Sequence, residues 1–188
     1  MRSDSRGATI RLLSKKSVKV NHSPINYPLS ISPHTILLSI DPGLTQTGWA
    51  AFRGETLFDY GVIRPRYRSD KFKVLVSLQE QISGIITKIK PDVYVVEVGG
   101  KRAFTGGKRR STEAIQGMGK AQAACMIPAN GISGRDTVPS SWKGRKGKES
   151  AINDVAHKYG VRLERSHHDC ADAILLGEYY INEHWLPA

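Results

Sequence analysis

The sequence predicts an α/β domain with a central mixed β-sheet flanked by helices, preceded by a basic tail. Three observations predict it. From residue 35 onward, short β-rich runs alternate with segments of helical period, and turn residues separate them at regular intervals. The run Asp92–Val98 (DVYVVEV) is almost continuously apolar and too short for a helix, as expected of a strand buried on both faces. Residues 1–34, by contrast, carry scattered Ser and Pro and little periodicity. The length of 188 residues suits one such domain.

The elements follow in order. Thr35–Asp41 (TILLSID) is an apolar strand that ends in a carboxylate, and Pro42-Gly43 then forces a turn. Thr47–Arg53 and Thr56–Val62 are β-rich runs separated by Gly54-Glu55, a hairpin pattern. Lys71–Lys90 carries Val74, Leu75, Leu78, Ile82, Ile85 and Ile86 at helical spacing, and Pro91 stops it before the strand Asp92–Val98. Gly99–Arg110 is a loop rich in Gly, Lys and Arg. Ser111–Ile127 is a helix capped by Ser111 or Thr112, and Ile132–Val138 is a strand. Pro139–Lys148 is a basic loop around Trp142. Glu149–Tyr159 is a helix ended by Gly160, Val161–Glu164 is a short extended segment, and His168–Glu183 is the last helix.

Composition narrows the partners. Hydrophobic residues make up 39%, enough for a core, and no apolar run approaches the roughly 20 residues that span a bilayer. The net charge of +11 points first to nucleic acid, with an anionic membrane surface second. About half of that charge lies in residues 1–34, where Arg2, Arg6, Arg11, Lys15, Lys16 and Lys19 face a single acid, Asp4. This segment is expected to be a basic, disordered tail before a domain of residues 35–188. Two readings of it stand, an arm that tracks DNA and a transit-like leader. Cys125 and Cys170 show no metal-site spacing and read as buried thiols in a reducing compartment.

Four acids stand where burial should exclude them. Asp41 ends an apolar strand, and Glu97 interrupts Val95, Val96 and Val98. Asp169 and Asp172 share one face of the last helix at i and i+3. A carboxylate in an apolar strand is costly unless it is paired or holds a cation. Singly, Asp41 could start an Asx turn and Asp169 could serve as a first-turn acid favoured by the helix dipole. As a set, they suit hard divalent ions, which take oxygen ligands and activate water for phosphodiester displacement.

The set also resembles a known family. SIDPGLTQTGWA, with Asp41-Pro42-Gly43 and Thr47-Gly48, resembles the first catalytic strand of RuvC-type Holliday junction resolvases. VYVVEV resembles the strand that carries the family's catalytic Glu, EAIQGMGKAQAA its Gly- and Ala-rich helix, and HDCADA its DxxDA helix. The resemblance runs from Thr35 to about Tyr180. It implies a ribonuclease-H-like fold and an endonuclease that cuts four-way or other branched DNA as a homodimer. Two Mg2+ ions per active site, with Mn2+ as the alternative ion, would be held by Asp41, Glu97, Asp169 and Asp172. An RNA-processing or RNase-H-like nuclease and a non-catalytic junction-binding module are the rival readings. The implied setting is the cytoplasm of a bacterium or phage-infected cell, or an organelle matrix if the tail is a leader. The chain departs from the family after Glu97, where VGGKRAFTGGKRR replaces the usual Glu-Gln-Val-Phe-like stretch.

Around the acids, Lys101, Arg102, Lys108, Arg109 and Arg110 share a loop with four glycines, and Phe104 is a candidate junction probe. This loop is expected to contact DNA, with a solvated charged loop as the alternative. Lys143, Arg145, Lys146 and Lys148 form a second cluster; Lys143, Lys146 and Lys148 are taken as DNA contacts, one of them assisting at the cleaved phosphate. Trp142 suits base stacking or anchoring of its own loop. His167 and His168 flank the last acidic pair and suit a third ligand or a proton shuttle, with helix capping or solvent exposure as the alternative. Ala114, Gly117, Met118, Ala121 and Ala124 line one helix face, which suits either a twofold interface or packing on the protein's own sheet.

Overall fold

The computed structural model describes residues 30–67, 70–99, 111–137, 142–143 and 147–185, with the backbone alone at Lys148. Five strands form one sheet in the order β3-β2-β1-β4-β5. They are β1 (Ile36–Asp41), β2 (Thr47–Arg53), β3 (Thr56–Ile63), β4 (Val93–Glu97) and β5 (Ser133–Thr137). β1, β2 and β3 form an antiparallel meander, while β4 and β5 run parallel to β1. The helices are α1 (Lys71–Ile89), α2 (Thr112–Met126), α3 (Lys148–Tyr159) and α4 (His168–His184). The mixed sheet flanked by helices is the architecture the sequence predicts.

Local chemistry sets the element boundaries. Asp70 caps α1 by accepting from the main-chain N–H groups of Phe72 and Lys73, and Lys90 ends it in the left-handed region at φ 53°. Ser111 caps α2 by accepting from Ala114 N. Gly54, at φ 55°, makes the tight β2–β3 turn, and an extra residue at Phe58 forms a bulge in β3. Asp92 joins the starts of β1 and β4, accepting from Ile36 N at 2.8 Å while its own N–H donates to Ile36 O at 2.8 Å. Val161–Glu164, expected to be extended, forms no strand and leads into a 3-10 turn, Arg165–His167. Among the described residues, no helix is long and apolar enough to cross a membrane.

Side chains alternate across the sheet and build two cores. Leu37, Ala50, Phe52, Val93 and Val95 face α3 and α4, together with Ala173, Ile174 and Leu176 of α4. Leu38, Ile40, Ala51, Tyr94 and Val96 face α1 and α2. Ala121, Ala124 and Cys125 of α2 are buried in this second core, so two of the five residues of the small-residue stripe, Ala121 and Ala124, pack on the protein's own sheet. Ser39 lets α4 approach β1 closely, its hydroxyl donating to Ala173 O at 2.7 Å, and Gly177 lies where a Cβ would meet Phe52 and the Ser39 hydroxyl. The folded unit starts before residue 35. Ile31 is fully buried in the first core, and its N–H donates to His184 O at 2.8 Å.

Candidate active site

Strand parity brings the acids together. Asp41 has the parity of Leu37 and Ser39, and Glu97 that of Val93 and Val95, so both point to the face that α4 covers. Ile40 pairs with Val96 in the parallel register, which sets Asp41 beside Glu97 at the carboxyl ends of neighbouring strands. That edge is where α/β sheets commonly bind ligands. The first two turns of α4 supply Asp169 and Asp172, the latter only 3% exposed.

Two residues of β2 hold this edge in place. The Thr47 hydroxyl donates to Gly43 O at 2.9 Å and accepts from Gly43 N at 3.1 Å, closing the turn that leaves Asp41. Gly48 pairs with Asp41 across β1 and β2, and a Cβ there would lie 1.9 Å from the main-chain oxygen of Asp169. The bare Gly48 backbone therefore lets α4 settle against the strand.

Electrostatics shows how tightly the acids converge. Burial pushes the Asp41 pKa well above the carboxylate range, and the charges of Glu97, Asp172 and Asp169 push it further, while Lys143 lowers it in part. Lys143 Nζ forms an ion pair with Asp172 Oδ2, and Asp172 Oδ1 is buried with no hydrogen-bond partner among the described residues. Asp169 is held on both oxygens, by His168 Nε2 at 3.0 Å and by Gln46 Nε2 at 3.0 Å. Four carboxylates with one inserted ammonium and one buried unsatisfied oxygen fit a hard divalent cation by donor chemistry. Among the described residues, however, no three His, Cys, Asp or Glu side chains form a ready-made cage.

Other expected site residues divide. Lys101, Arg102, Phe104, Lys108, Arg109, Arg110 and Lys146 lie outside the described residues, and Lys148 contributes backbone at the start of α3. Trp142 packs against the first core with the Lys143 ammonium 5.5 Å from its ring centre. His167 closes the 3-10 turn with Glu164, whereas His168 touches Asp169. A cleft of about 470 Å3 between the start of α3 and His168 is lined by Gly147, Glu149, Ser150, Ile152 and Arg165, and borders the acids without including them. Cys125 and Cys170 are free and buried, and burial above all pushes each thiol up to about 12. Sequence reasoning missed Gln46 and Arg64, since a polar turn residue and an arginine after a strand carry no signal of their own.

Comparison with solved structures decides the fold. RuvC of T. thermophilus in complex with a Holliday junction substrate superposes with a TM-score of 0.63, covering 80% of this chain and 96% of that one at 18% identity. The chain has the RuvC fold. The yeast mitochondrial Holliday junction resolvase Ydc2 shares this RuvC-like architecture with a TM-score of 0.58 and 14% identity, covering 80% of this chain and 79% of that one. At the sequence level, the RuvC-like chain is 33% identical over 97 residues to the crossover junction endodeoxyribonuclease RuvC of Caulobacter vibrioides. That match takes in 50% of this chain and spans about half of the relative's length, 53%. No family model matches the chain.

Proposed function

We propose that this RuvC-like chain is a Mg2+-dependent endonuclease that cuts four-way or other branched DNA as a homodimer. One observation carries the reading: Asp41 and Glu97 end adjacent parallel strands on the face where α4 presents Asp169 and Asp172. A pure DNA-binding module gains nothing from acids that repel phosphate. The RuvC fold, and the partial sequence match to a crossover junction endodeoxyribonuclease, support a junction as the substrate.

In this reading the four carboxylates hold the ions. A pair of bound Mg2+ ions would supply an activated water and compensate charge on the leaving oxygen during in-line displacement. The chain's own residues prepare the site. Burial and the neighbouring acids raise the Asp41 pKa, and a divalent cation held there would favour its carboxylate form. Lys143, a quarter exposed, is placed to leave Asp172 and donate from Nζ to a phosphate oxygen. Gly48 and Thr47 keep α4 and the β1–β2 turn at fixed spacing. A dimer would supply two such sites for paired cuts.

The test incubates the full chain with labelled four-way junction, duplex, flap and RNA–DNA hybrid, with and without Mg2+. Cleavage of the junction alone, dependent on Mg2+ and absent from Glu97→Gln and Asp172→Asn, is expected. Preferential cutting of the hybrid would transfer the reading to an RNase-H-like enzyme. Junction binding without any cut would make the chain a binding module.

A further inference from the structure

Gln46 lies outside the four acids, yet its side chain reaches one of them. It is the last residue of the turn between β1 and β2, five positions beyond Asp41. Its Nε2 donates to Asp169 Oδ2 at 3.0 Å and to the main-chain oxygen of Ser166 at 2.7 Å. Its Oε1 accepts from Arg64 Nε at 3.1 Å, just beyond the end of β3. The amide thus ties three segments together: the β1–β2 turn, the end of β3, and the entry to α4.

The orientation of this amide decides its effect. Turned end for end, it would set a carbonyl oxygen against the Asp169 carboxylate. Arg64 has donors only, so its contact at Oε1 leaves the NH2 end facing Asp169. A neutral donor fixes a carboxylate without cancelling its charge. An ammonium in that place, as Lys143 is beside Asp172, competes with any cation for that oxygen. Asp169, met by Gln46 on one oxygen and His168 on the other, has its carboxylate plane set from both sides.

We propose that Gln46 is a positioning residue for Asp169, and that Arg64 acts through Gln46 by fixing which end of the amide faces the carboxylate. The proposal rests on the reading of Asp169 as a ligand of divalent cations. Hydrogen-bond partners of ligating carboxylates commonly change metal affinity or activity by about 10–100-fold when removed.

The test uses the full chain with Gln46→Met, which keeps the length of the side chain and removes its hydrogen bonds, and Gln46→Asn, which shortens its reach. The Mg2+ concentration for half-maximal junction cleavage should rise about 10-fold or more in both. The midpoint of the Mg2+-induced rise in Tm, measured without DNA, should move by a similar factor. Junction affinity in EDTA should stay unchanged, because Gln46 acts on Asp169 and not on DNA. A lower Tm with an unchanged Mg2+ midpoint would reduce Gln46 to a structural residue and overturn the proposal. Arg64→Met should shift the midpoint in the same direction and add nothing in the Gln46→Met background. An undiminished Arg64→Met effect in that background would overturn the link between them. Asp169→Asn separates the two levels. If it titrates with Mg2+ and cleaves like the unmutated protein, the cation reading of Asp169 fails and this proposal with it. If it is inactive while both Gln46 variants titrate normally, only the positioning role of Gln46 fails.

Discussion

Gly48 and Asp169 meet backbone to backbone: a methyl group on Gly48 would stand 1.9 Å from the main-chain oxygen of Asp169 and 2.6 Å from Cys170 N. Gly48 is also the strand partner of Asp41. One bare α-carbon therefore sets the distance between two of the acids.

Gly48→Ala should accordingly harm cleavage beyond its effect on stability. The added carbon meets backbone and cannot be relieved by a rotamer change, so α4 must lift. Overpacking of this kind costs about 1–3 kcal/mol, and each 1 kcal/mol is about 2–4 °C of Tm in a chain of this size. Single-turnover cleavage, measured well below the variant's Tm, should fall at least about 10-fold, as expected when an acid shifts by an ångström. Unchanged cleavage alongside a lower Tm would show that the α4–β2 spacing is not catalytically important.

Asp41→Asn should stabilise the metal-free protein at neutral pH while abolishing cleavage. Burial, then Glu97, Asp172 and Asp169, raise the pKa of Asp41 in the fold. A carboxyl raised in this way stabilises the fold while protonated. That contribution is complete below the unfolded value of about 3.9 and is lost as pH climbs through the higher folded value. In EDTA, Asp41→Asn should therefore melt higher than the unmutated protein at pH 7, with the gap closing near about pH 4. Calorimetry across that range checks it, and a variant that melts lower at pH 7 contradicts it.

Lys143→Met should cost both stability and rate. It leaves Asp172, almost fully buried, without its ammonium. Breaking buried pairs costs about 3–5 kcal/mol; the lower end applies here, because Lys143 keeps a quarter of its side-chain surface in water. Removing one donor at a reacting phosphate typically lowers the rate by about 10²–10³-fold. Mg2+ should restore Tm in this variant without restoring the rate. Recovery of both would confine Lys143 to charge balance.

The basic segment before the domain should add grip and no selectivity. Deleting residues 1–29 removes the six basic residues but keeps Ile31, which is fully buried. Affinity for duplex and junction should fall together, and the slope of log affinity against log salt should flatten by about 0.9 for each phosphate no longer neutralised. Deleting residues 1–34 should in addition lower Tm, because it empties the Ile31 site at a cost of about 2–5 kcal/mol. Binding measured across a salt series, with Tm for both truncations, separates these effects.

The acids were legible because burial makes them conspicuous: Asp41 and Glu97 each close an apolar strand, and alternation sends them to one face. The strands were legible for a related reason, since short apolar runs ended by Pro and Gly admit few other folds. The orientation of the α2 stripe was not. Ala121 and Ala124 are small because Leu38, Ile40 and Val96 press against them, yet a stripe of small residues has the same period whichever way it faces. Ile31 carried little signal because the stretch around it, YPLSISP, is broken by Pro28 and Pro33 and lies in a Ser- and Pro-rich segment. Gln46 and Arg64 depend on contacts across 18 and 123 positions, which no local pattern encodes.

The two thiols held near 12 by burial give the molecule a built-in clock. At neutral pH almost no thiolate forms at either, so an alkylating reagent reacts only when the chain opens. Cys170 follows Asp169 in the first turn of α4, and Cys125 lies on the inner side of α2, on the opposite face of the sheet. The rate at which each is labelled would thus time the opening of its own face, and a ligand that clamps the acidic edge should slow Cys170 directly and Cys125 through Thr47, which touches that thiol and closes the turn after Asp41.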